Sequence, residues 1–116
     1  MTDSQMALID ALTSGEYTQG QNMLETQDGC FCCLGVACMV YEQQTGTNIK
    51  RDSFGQLIGG SLYEYPEVVE WFKFFDKWGG GHIKKSSMES LDCLNDTGLT
   101  FDQIAEELST GKYWKE

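Results

Sequence analysis

Four of the chain's five cysteines lie within residues 30–38, in the segment Cys-Phe-Cys-Cys-Leu-Gly-Val-Ala-Cys, and the apolar run continues to Tyr41. A helix that is apolar on nearly all sides is typical of the centre of a fold. We therefore predict a buried helix over Phe31–Gln44, ended by Gly46. Gly35 costs about 1 kcal/mol in a helix relative to alanine, so we expect another backbone to approach the helix where this residue lacks a Cβ. Besides a buried helix, the run is compatible with a metal site or a reactive-thiol site.

Apolar residues at helical spacing predict shorter helices on both sides of this run. Their expected ends carry the residues that favour helix termini. In chain order these are Asp3 or Ser4 and Gly15 for the first helix, Pro66 for the second, Ser86 or Ser87 and Gly98 for the third, and Thr100 with Gln103, as a capping box, for the last.

The segments Gln21–Gln27 and Phe54–Ile58 are the two candidates for short strands, and glycines keep their surroundings irregular. A length of 116 residues supports one core. The sequence therefore predicts a single α+β domain over residues 1–116, mainly helical, with short helices around the Cys-rich helix and a small β-hairpin or strand pair. The expected core residues are Cys33, Leu34, Val36, Ala37, Val40, Phe72, Leu91, Leu94, Phe101 and Ile104.

The formal net charge is −10, and no Lys or Arg precedes Lys50. An acidic surface repels phosphate backbones, so we expect no nucleic-acid partner. The first residues carry no basic and apolar leader pattern. No apolar run approaches the roughly 20 residues that span a bilayer. An odd number of crowded cysteines favours free thiols in a reducing compartment, and we predict a cytoplasmic protein with no membrane partner.

Three motifs stand out along the chain, and the second and third are dense. Residues 14–20 read Ser-Gly-x-Tyr-x-Gln-Gly, residues 32–38 read Cys-Cys-Leu-Gly-Val-x-Cys, and residues 94–105 read Leu-Asn-Asp-x-Gly-x-Thr-Phe-x-x-Ile-Ala. With a looser match at residues 66–71, this combination resembles a family of small uncharacterised proteins encoded mainly by tailed bacteriophages and prophages. The resemblance covers most of the chain. It implies a phage origin and a bacterial host cytoplasm, and it implies no activity.

The cysteines are the first candidates for chemistry. Zinc needs four suitable ligands, usually from two paired knuckles. Cys30, Cys32, Cys33 and Cys38 supply only the first half of such a site, and Cys33 and Cys38 would lie far apart around one helix. Cys93 and His82 are isolated along the chain. We therefore expect no metal; the alternative is a zinc-stabilised module whose ligands would be Cys30, Cys32, Cys33 and Cys93. Apolar neighbours and the lack of a nearby charge favour buried, unreactive thiols at Cys33 and Cys38.

A second candidate is the glycine triplet at residues 79–81 and the basic residues after it. The residues that could bind a small phosphate or nucleotide there are Gly80, Gly81, His82, Lys84 and Lys85. The segment lacks the second glycine of a phosphate-binding loop, since Lys84 stands in its place. His82 is the only histidine, and no spacing joins it to a thiol or to paired carboxylates. We therefore predict no catalytic residues and no cofactor.

Aromatic residues crowd positions 71–78, and they cannot all lie on one helical face. Trp71, Phe74, Phe75 and Trp78 are the candidates for an interface with a protein partner or a second copy. The sequence thus favours a non-enzymatic phage accessory protein that acts by binding in the bacterial host cytoplasm, in host takeover or counter-defence. A small-ligand, nucleotide-like binding or sequestering protein is the alternative.

Overall fold

The structure, a computed structural model, describes residues 1–80 and 90–115. Within these residues it contains five α-helices and a 3₁₀ turn at Leu62–Glu64. The helices are α1 (Asp3–Thr13), α2 (Cys33–Thr45), α3 (Pro66–Phe72), α4 (Leu91–Asp96) and α5 (Phe101–Ser109). None of the described helices is long and apolar enough to cross a membrane.

The Cys-rich segment forms the central helix, as predicted. α2 packs against α1, α3 and α4, and α5 lies on α1 and α4. The N-cap of α2 is Cys32, and the helix ends at its C-cap, Gly46, which adopts a left-handed backbone with φ 69°. The first half of α2 is buried on all sides, which is why its sequence shows no polar face.

The expected close approach at Gly35 is confirmed. A Cβ at this position would overlap the carbonyl oxygen of Leu24, whose backbone crosses the helix there. Leu24 is fully buried, and its N–H donates to the carbonyl oxygen of Gly59 at 2.9 Å. Gly35 therefore sets how closely the 19–26 segment can lie against α2.

The other helix boundaries follow the expected signals in most places. Thr100 and Gln103 form the predicted capping box of α5, and Thr2 and Gln5 form another at α1 that was not predicted. α3 begins at Pro66 and ends at Phe72, because Lys73 adopts a left-handed backbone with φ 62°. The predicted start of α4 at residues 86–87 lies outside the described residues.

The α+β prediction is wrong, because neither candidate strand forms. Over Gln21–Gln27, pairing is limited to an isolated bridge between Glu25 and Phe31, and Gln19 makes a second bridge to the same phenylalanine. Asn22 has a left-handed backbone with φ 71°, which breaks the extended conformation. The described residues are therefore helical with irregular connections and contain no β-hairpin.

In the second candidate strand, Phe54–Ile58, side chains take the backbone donors that a neighbouring strand would need. The Oδ1 atom of Asp52 accepts from the N–H groups of Phe54 and Gln56 at 2.9 and 3.0 Å. Leu57 N–H donates to Glu25 Oε1, and Ile58 N–H donates to the hydroxyl of Tyr65. These hydrogen bonds satisfy the backbone N–H groups of the segment without a neighbouring strand.

One core lies around α2, and it contains every predicted core residue except Leu94, which is only partly buried against it. The connections between the helices also contribute to this core. Buried residues outside the helices include Leu24, Ile49, Leu57, Tyr65, Phe74, Tyr113 and Trp114.

Candidate functional site

A buried asparagine, Asn95 in α4, joins segments that are far apart in the chain. Its Oδ1 atom accepts hydrogen bonds from Nε2 of Gln19 at 2.9 Å and from the backbone N–H of Cys33 at 3.2 Å. Its Nδ2 atom donates to the carbonyl oxygen of Gly20 at 2.8 Å. Because the N-cap of α2 makes no side-chain hydrogen bond, Asn95 supplies from another helix the acceptor that the first turn of α2 lacks.

Gln19 extends this network to α5. Its Nε2 atom also donates to the carbonyl oxygen of Leu99 at 2.7 Å, and its Oε1 atom accepts from the backbone N–H of Phe101 at 3.0 Å. Phe101 is the first residue of α5. Two neighbouring amide side chains thus hold the first turns of α2 and α5 together.

The three motifs of the sequence meet in this network. Gln19 and Gly20 belong to the first motif, Cys33 to the second motif, and Asn95 and Phe101 to the third motif. Among the described residues, no buried side-chain nitrogen or oxygen atom lacks a hydrogen-bond partner. Each polar atom of the two amides therefore already has a partner within the fold. We interpret these motifs as encoding the fold.

The cysteines of α2 lie in surroundings that suppress thiol chemistry. Cys32, Cys33 and Cys38 are buried, which confirms the prediction for the latter two. Burial raises the pKa of Cys32 to about 11 and raises the pKa of Cys33 and Cys38 well above the usual value. The Sγ of Cys33 donates to the carbonyl oxygen of Leu91 at 3.4 Å. A thiol that stays protonated at neutral pH is a poor nucleophile.

The alternative zinc ligands are not brought together. Cys30 and Cys93 are partly exposed, whereas Cys32 and Cys33 are buried. Within residues 1–80 and 90–115, no group of three or more His, Cys, Asp or Glu side chains is arranged to hold a metal ion. The described part of the chain therefore offers no support for the zinc alternative.

Of the phosphate-binding candidates, only Gly80 belongs to the described residues; Gly81, His82, Lys84 and Lys85 lie outside them. The N–H of Gly80 donates to Oδ1 of Asp76 at 3.0 Å, and the N–H of Trp78 donates to the same oxygen at 3.0 Å. A carboxylate already occupies these two donors, and it would repel a phosphate.

The four interface candidates lie in different surroundings. Phe74 is fully buried and stacks on Trp114 with ring centroids 5.2 Å apart, so it belongs to the core. Trp71 is partly exposed, packs edge-on against Tyr41 and donates its indole N–H to Gln44. Phe75 is partly buried. Trp78 is 46% exposed.

Trp78 belongs to a surface that the sequence did not reveal. The ammonium group of Lys77 lies 4.7 Å from the ring centroid of Trp78 and 4.5 Å from that of Tyr63, which is 68% exposed. A hydrogen bond of 2.8 Å from the N–H of Leu62 to the carbonyl oxygen of Lys77 holds the two segments together. We call Tyr63, Lys77 and Trp78 the aromatic–lysine surface. No local signal predicts it, because Tyr63 and Lys77 meet only in the tertiary structure.

The structure therefore defines a small helical domain with a closed polar network inside and an aromatic–lysine surface outside. A family model described as a domain of unknown function, DUF8296, matches residues 4–111. The chain belongs to this family. No curated protein and no solved structure matches the chain.

Proposed function

We propose that this protein is a non-enzymatic phage accessory protein that binds a host protein in the bacterial cytoplasm. The observation that supports the proposal is the aromatic–lysine surface. Two large rings stand in solvent on either side of a cation, although the chain has buried other aromatic residues, such as Phe72 and Phe74, completely.

Exposed aromatic rings of this kind are what protein interfaces use. Tyr and Trp are enriched among the few residues that supply most of the binding energy, because each buries a large apolar area and still carries a polar group. Lys77 holds both rings in place before any partner arrives. A surface that is ordered in advance loses less entropy on binding.

The phage origin and the host cytoplasm rest on the resemblance of the sequence motifs. A role in host takeover or counter-defence is inferred from the acidic charge and the exposed aromatic residues, which favour a protein partner. The absence of a catalytic role rests on the closed polar network and the buried thiols of the described residues. The net charge of −10 supports a protein partner over a nucleic acid, because phosphate backbones would be repelled.

The test is a pull-down from a lysate of the bacterial host, with captured proteins identified by mass spectrometry and then purified for calorimetric titration. We expect one protein to bind the native chain and to be lost with the double variant Tyr63→Ala, Trp78→Ala. The control is Phe54→Ala, which removes an even more exposed ring, 84% exposed, from another loop; it should bind as the native chain does.

The proposal is contradicted if native mass spectrometry of protein purified from cells finds a bound metabolite or metal while no host protein is retained. Self-association alone would also contradict it. Light scattering at several concentrations would then report a dimer that the double variant lacks.

A further inference from the structure

We propose that the partner docks with an acidic segment, placing a carboxylate on Lys77 and an apolar side chain on Trp78. This inference rests on the proposed function and names the chemistry of the partner. It follows from the charge on the aromatic–lysine surface.

Lys77 differs from the ion-paired cations of the chain. Lys50 pairs with Glu64, Arg51 with Glu42, and Lys112 with Glu107, each within 3.0 Å. Among the described residues no carboxylate pairs with Lys77, and its ammonium group lies over two ring faces instead. Lys73 and Lys115 also form no ion pair within the described residues. Lys77 differs from them because it lies over two exposed aromatic rings, so an anion from outside would meet the charge and apolar surface together.

The geometry leaves room for that anion. An ammonium group has three N–H donors, and ring faces attract the cation without satisfying it as a carboxylate oxygen would. The rings of Tyr63 and Trp78 also fix the position of the lysine side chain. A carboxylate that arrives would therefore meet a cation already oriented between two apolar surfaces.

The surroundings favour a carboxylate over the other charged ligands. The carboxylate of Asp76 lies under the same turn, where it accepts from the N–H of Trp78, and the N–H of Asp92 donates to the carbonyl oxygen of Trp78. A doubly charged phosphate would be repelled by Asp76 more strongly than a singly charged carboxylate would. A basic partner group would have to displace Lys77 from both rings.

The test uses peptides and needs no knowledge of the partner. The probes are an N-acetylated peptide amide, Glu-Leu-Glu-Leu-Glu, its Gln-Leu-Gln-Leu-Gln and Lys-Leu-Lys-Leu-Lys counterparts, and inorganic phosphate. Each is titrated into ¹⁵N-labelled protein while the tryptophan indole N–H signals are followed by NMR. The indoles of Trp71 and Trp114 are internal controls, because their N–H groups bond to Gln44 and Leu108 away from Lys77.

We expect the glutamate peptide to shift the Trp78 indole signal saturably, the glutamine peptide to bind about threefold to fivefold more weakly because it keeps only the leucine contacts, and phosphate to leave the signal unshifted. Lys77→Arg should keep the response, Lys77→Gln should weaken it about threefold to fivefold, and Lys77→Glu should abolish it. Raising NaCl from about 50 mM to about 500 mM should weaken the native response. Lys115→Gln, which removes an exposed lysine from the C-terminal segment, should leave it unchanged.

The inference is overturned if Lys77→Gln binds the glutamate peptide as tightly as the native chain, or if the lysine peptide or phosphate shifts Trp78 more strongly. It is also overturned if no probe shifts this signal. These results are independent of the pull-down. A host protein that binds the native, Lys77→Gln and Lys77→Glu chains equally would support the proposed function. It would contradict the proposal that the partner docks with an acidic segment.

Discussion

At the scale of single residues, Asn95 shows how a polar side chain can determine where distant segments meet. It is fully buried, and all its polar atoms are used by Gln19, Gly20 and Cys33. An apolar residue of the same size would leave the N–H of Cys33 and the carbonyl oxygen of Gly20 without these hydrogen bonds and would remove one of those that Gln19 makes. The cost of such unsatisfied groups, more than the lost bonds, makes the position sensitive.

Asn95→Ala should lower the free energy of unfolding by about 3 kcal/mol, because buried donors and an acceptor lose their partners. Urea denaturation followed by circular dichroism measures it. The control is Asn48→Ala at an exposed position, which should change stability by less than about 0.5 kcal/mol. Equal effects at the two positions would contradict the role given to the network.

Asp92→Asn should stabilise the protein at neutral pH. Burial, followed by smaller contributions that include Asp96 and Asp76, raises the pKa of Asp92 above its ordinary value of 3.8. A raised carboxyl pKa favours the folded state only while the group is protonated, so this contribution is lost as the pH rises through the folded-state pKa. The asparagine keeps an acceptor oxygen for Ser90 and Cys93 and carries no charge. The stabilisation should therefore vanish as the pH falls toward 3.8.

Glu42→Gln is the control with the opposite sign. The guanidinium of Arg51, at 2.7 and 2.8 Å from the two carboxylate oxygens, lowers the pKa of Glu42 below its ordinary value of 4.5. The resulting stability is present above that value and is lost on acidification. The variant should be less stable than the native chain at neutral pH and should converge with it in acid. Parallel pH profiles for Asp92→Asn and Glu42→Gln would refute both assignments.

The thiols should react in the order of their exposure. Cys30 and Cys93 are partly exposed, whereas Cys32, Cys33 and Cys38 are buried, and burial raises the pKa of all three buried thiols. Labelling with iodoacetamide at neutral pH, quantified by mass spectrometry of peptides, should modify the exposed pair first and the buried three only in denaturant. Cys33→Ala should cost on the order of 1 kcal/mol in stability. Rapid labelling of native Cys33 or Cys38 would argue for activated thiols.

At the scale of secondary structure elements, the decisive contact is the crossing of the 19–26 segment over α2. Helix propensity alone favours alanine over glycine at position 35 by about 1 kcal/mol. The tertiary contact opposes this preference, because a Cβ there would overlap the carbonyl oxygen of Leu24. A backbone that crosses a helix has little freedom to move away when its own hydrogen bonds are fixed.

Gly35→Ala should therefore destabilise the protein by more than about 2 kcal/mol, as overpacking at a rigid contact does. The control is Gly29→Ala, where a Cβ meets open space but the backbone has φ 80°, and it should cost only about 1 kcal/mol. Thermal denaturation of both variants gives the ranking. A stabilised Gly35→Ala variant would mean that helix propensity decides this position and that the crossing is looser than described.

At the scale of the whole molecule, the fold is closed by residues beyond the part that the family model matches. Tyr113 and Trp114 are buried, and the N–H of Lys115 donates to the carbonyl oxygen of Lys73. The indole of Trp114 stacks on Phe74 and donates to the carbonyl oxygen of Leu108. The C-terminal segment thus joins α5 to the end of α3.

Trp114→Ala should lower the free energy of unfolding by about 3 to 5 kcal/mol, since it removes a large buried ring and leaves a cavity. The matched variant Trp78→Ala removes the same side chain from the surface and should cost less than about 1 kcal/mol. Chemical denaturation of the two proteins compares them directly. Similar losses at both positions would contradict the assignment of one tryptophan to the core and the other to the aromatic–lysine surface.

The sequence alone determined the features that depend on neighbours along the chain. Apolar residues on all sides of α2 predicted its burial, Pro66 and the pair Thr100 and Gln103 marked helix starts, and the missing Cβ of Gly35 indicated a close contact. These signals succeed because helix periodicity and capping act within a few residues. The β-hairpin prediction is wrong because strand pairing depends on residues that are distant in the chain. An extended segment does not show whether its backbone donors will meet a strand or, as in Phe54–Ile58, side chains such as that of Asp52.

Only the tertiary structure decided what the polar motifs are for and where the exposed aromatic residues lie. Gln19 and Asn95 are separated by 76 positions in the chain, and no local pattern shows that one amide completes the hydrogen bonds of the other. The same holds for Tyr63 and Lys77, and it explains why Phe74 became core while Trp78 remained exposed. The sequence gives the chemistry of each side chain, but a buried network or a binding surface forms only when packing brings distant residues within contact distance.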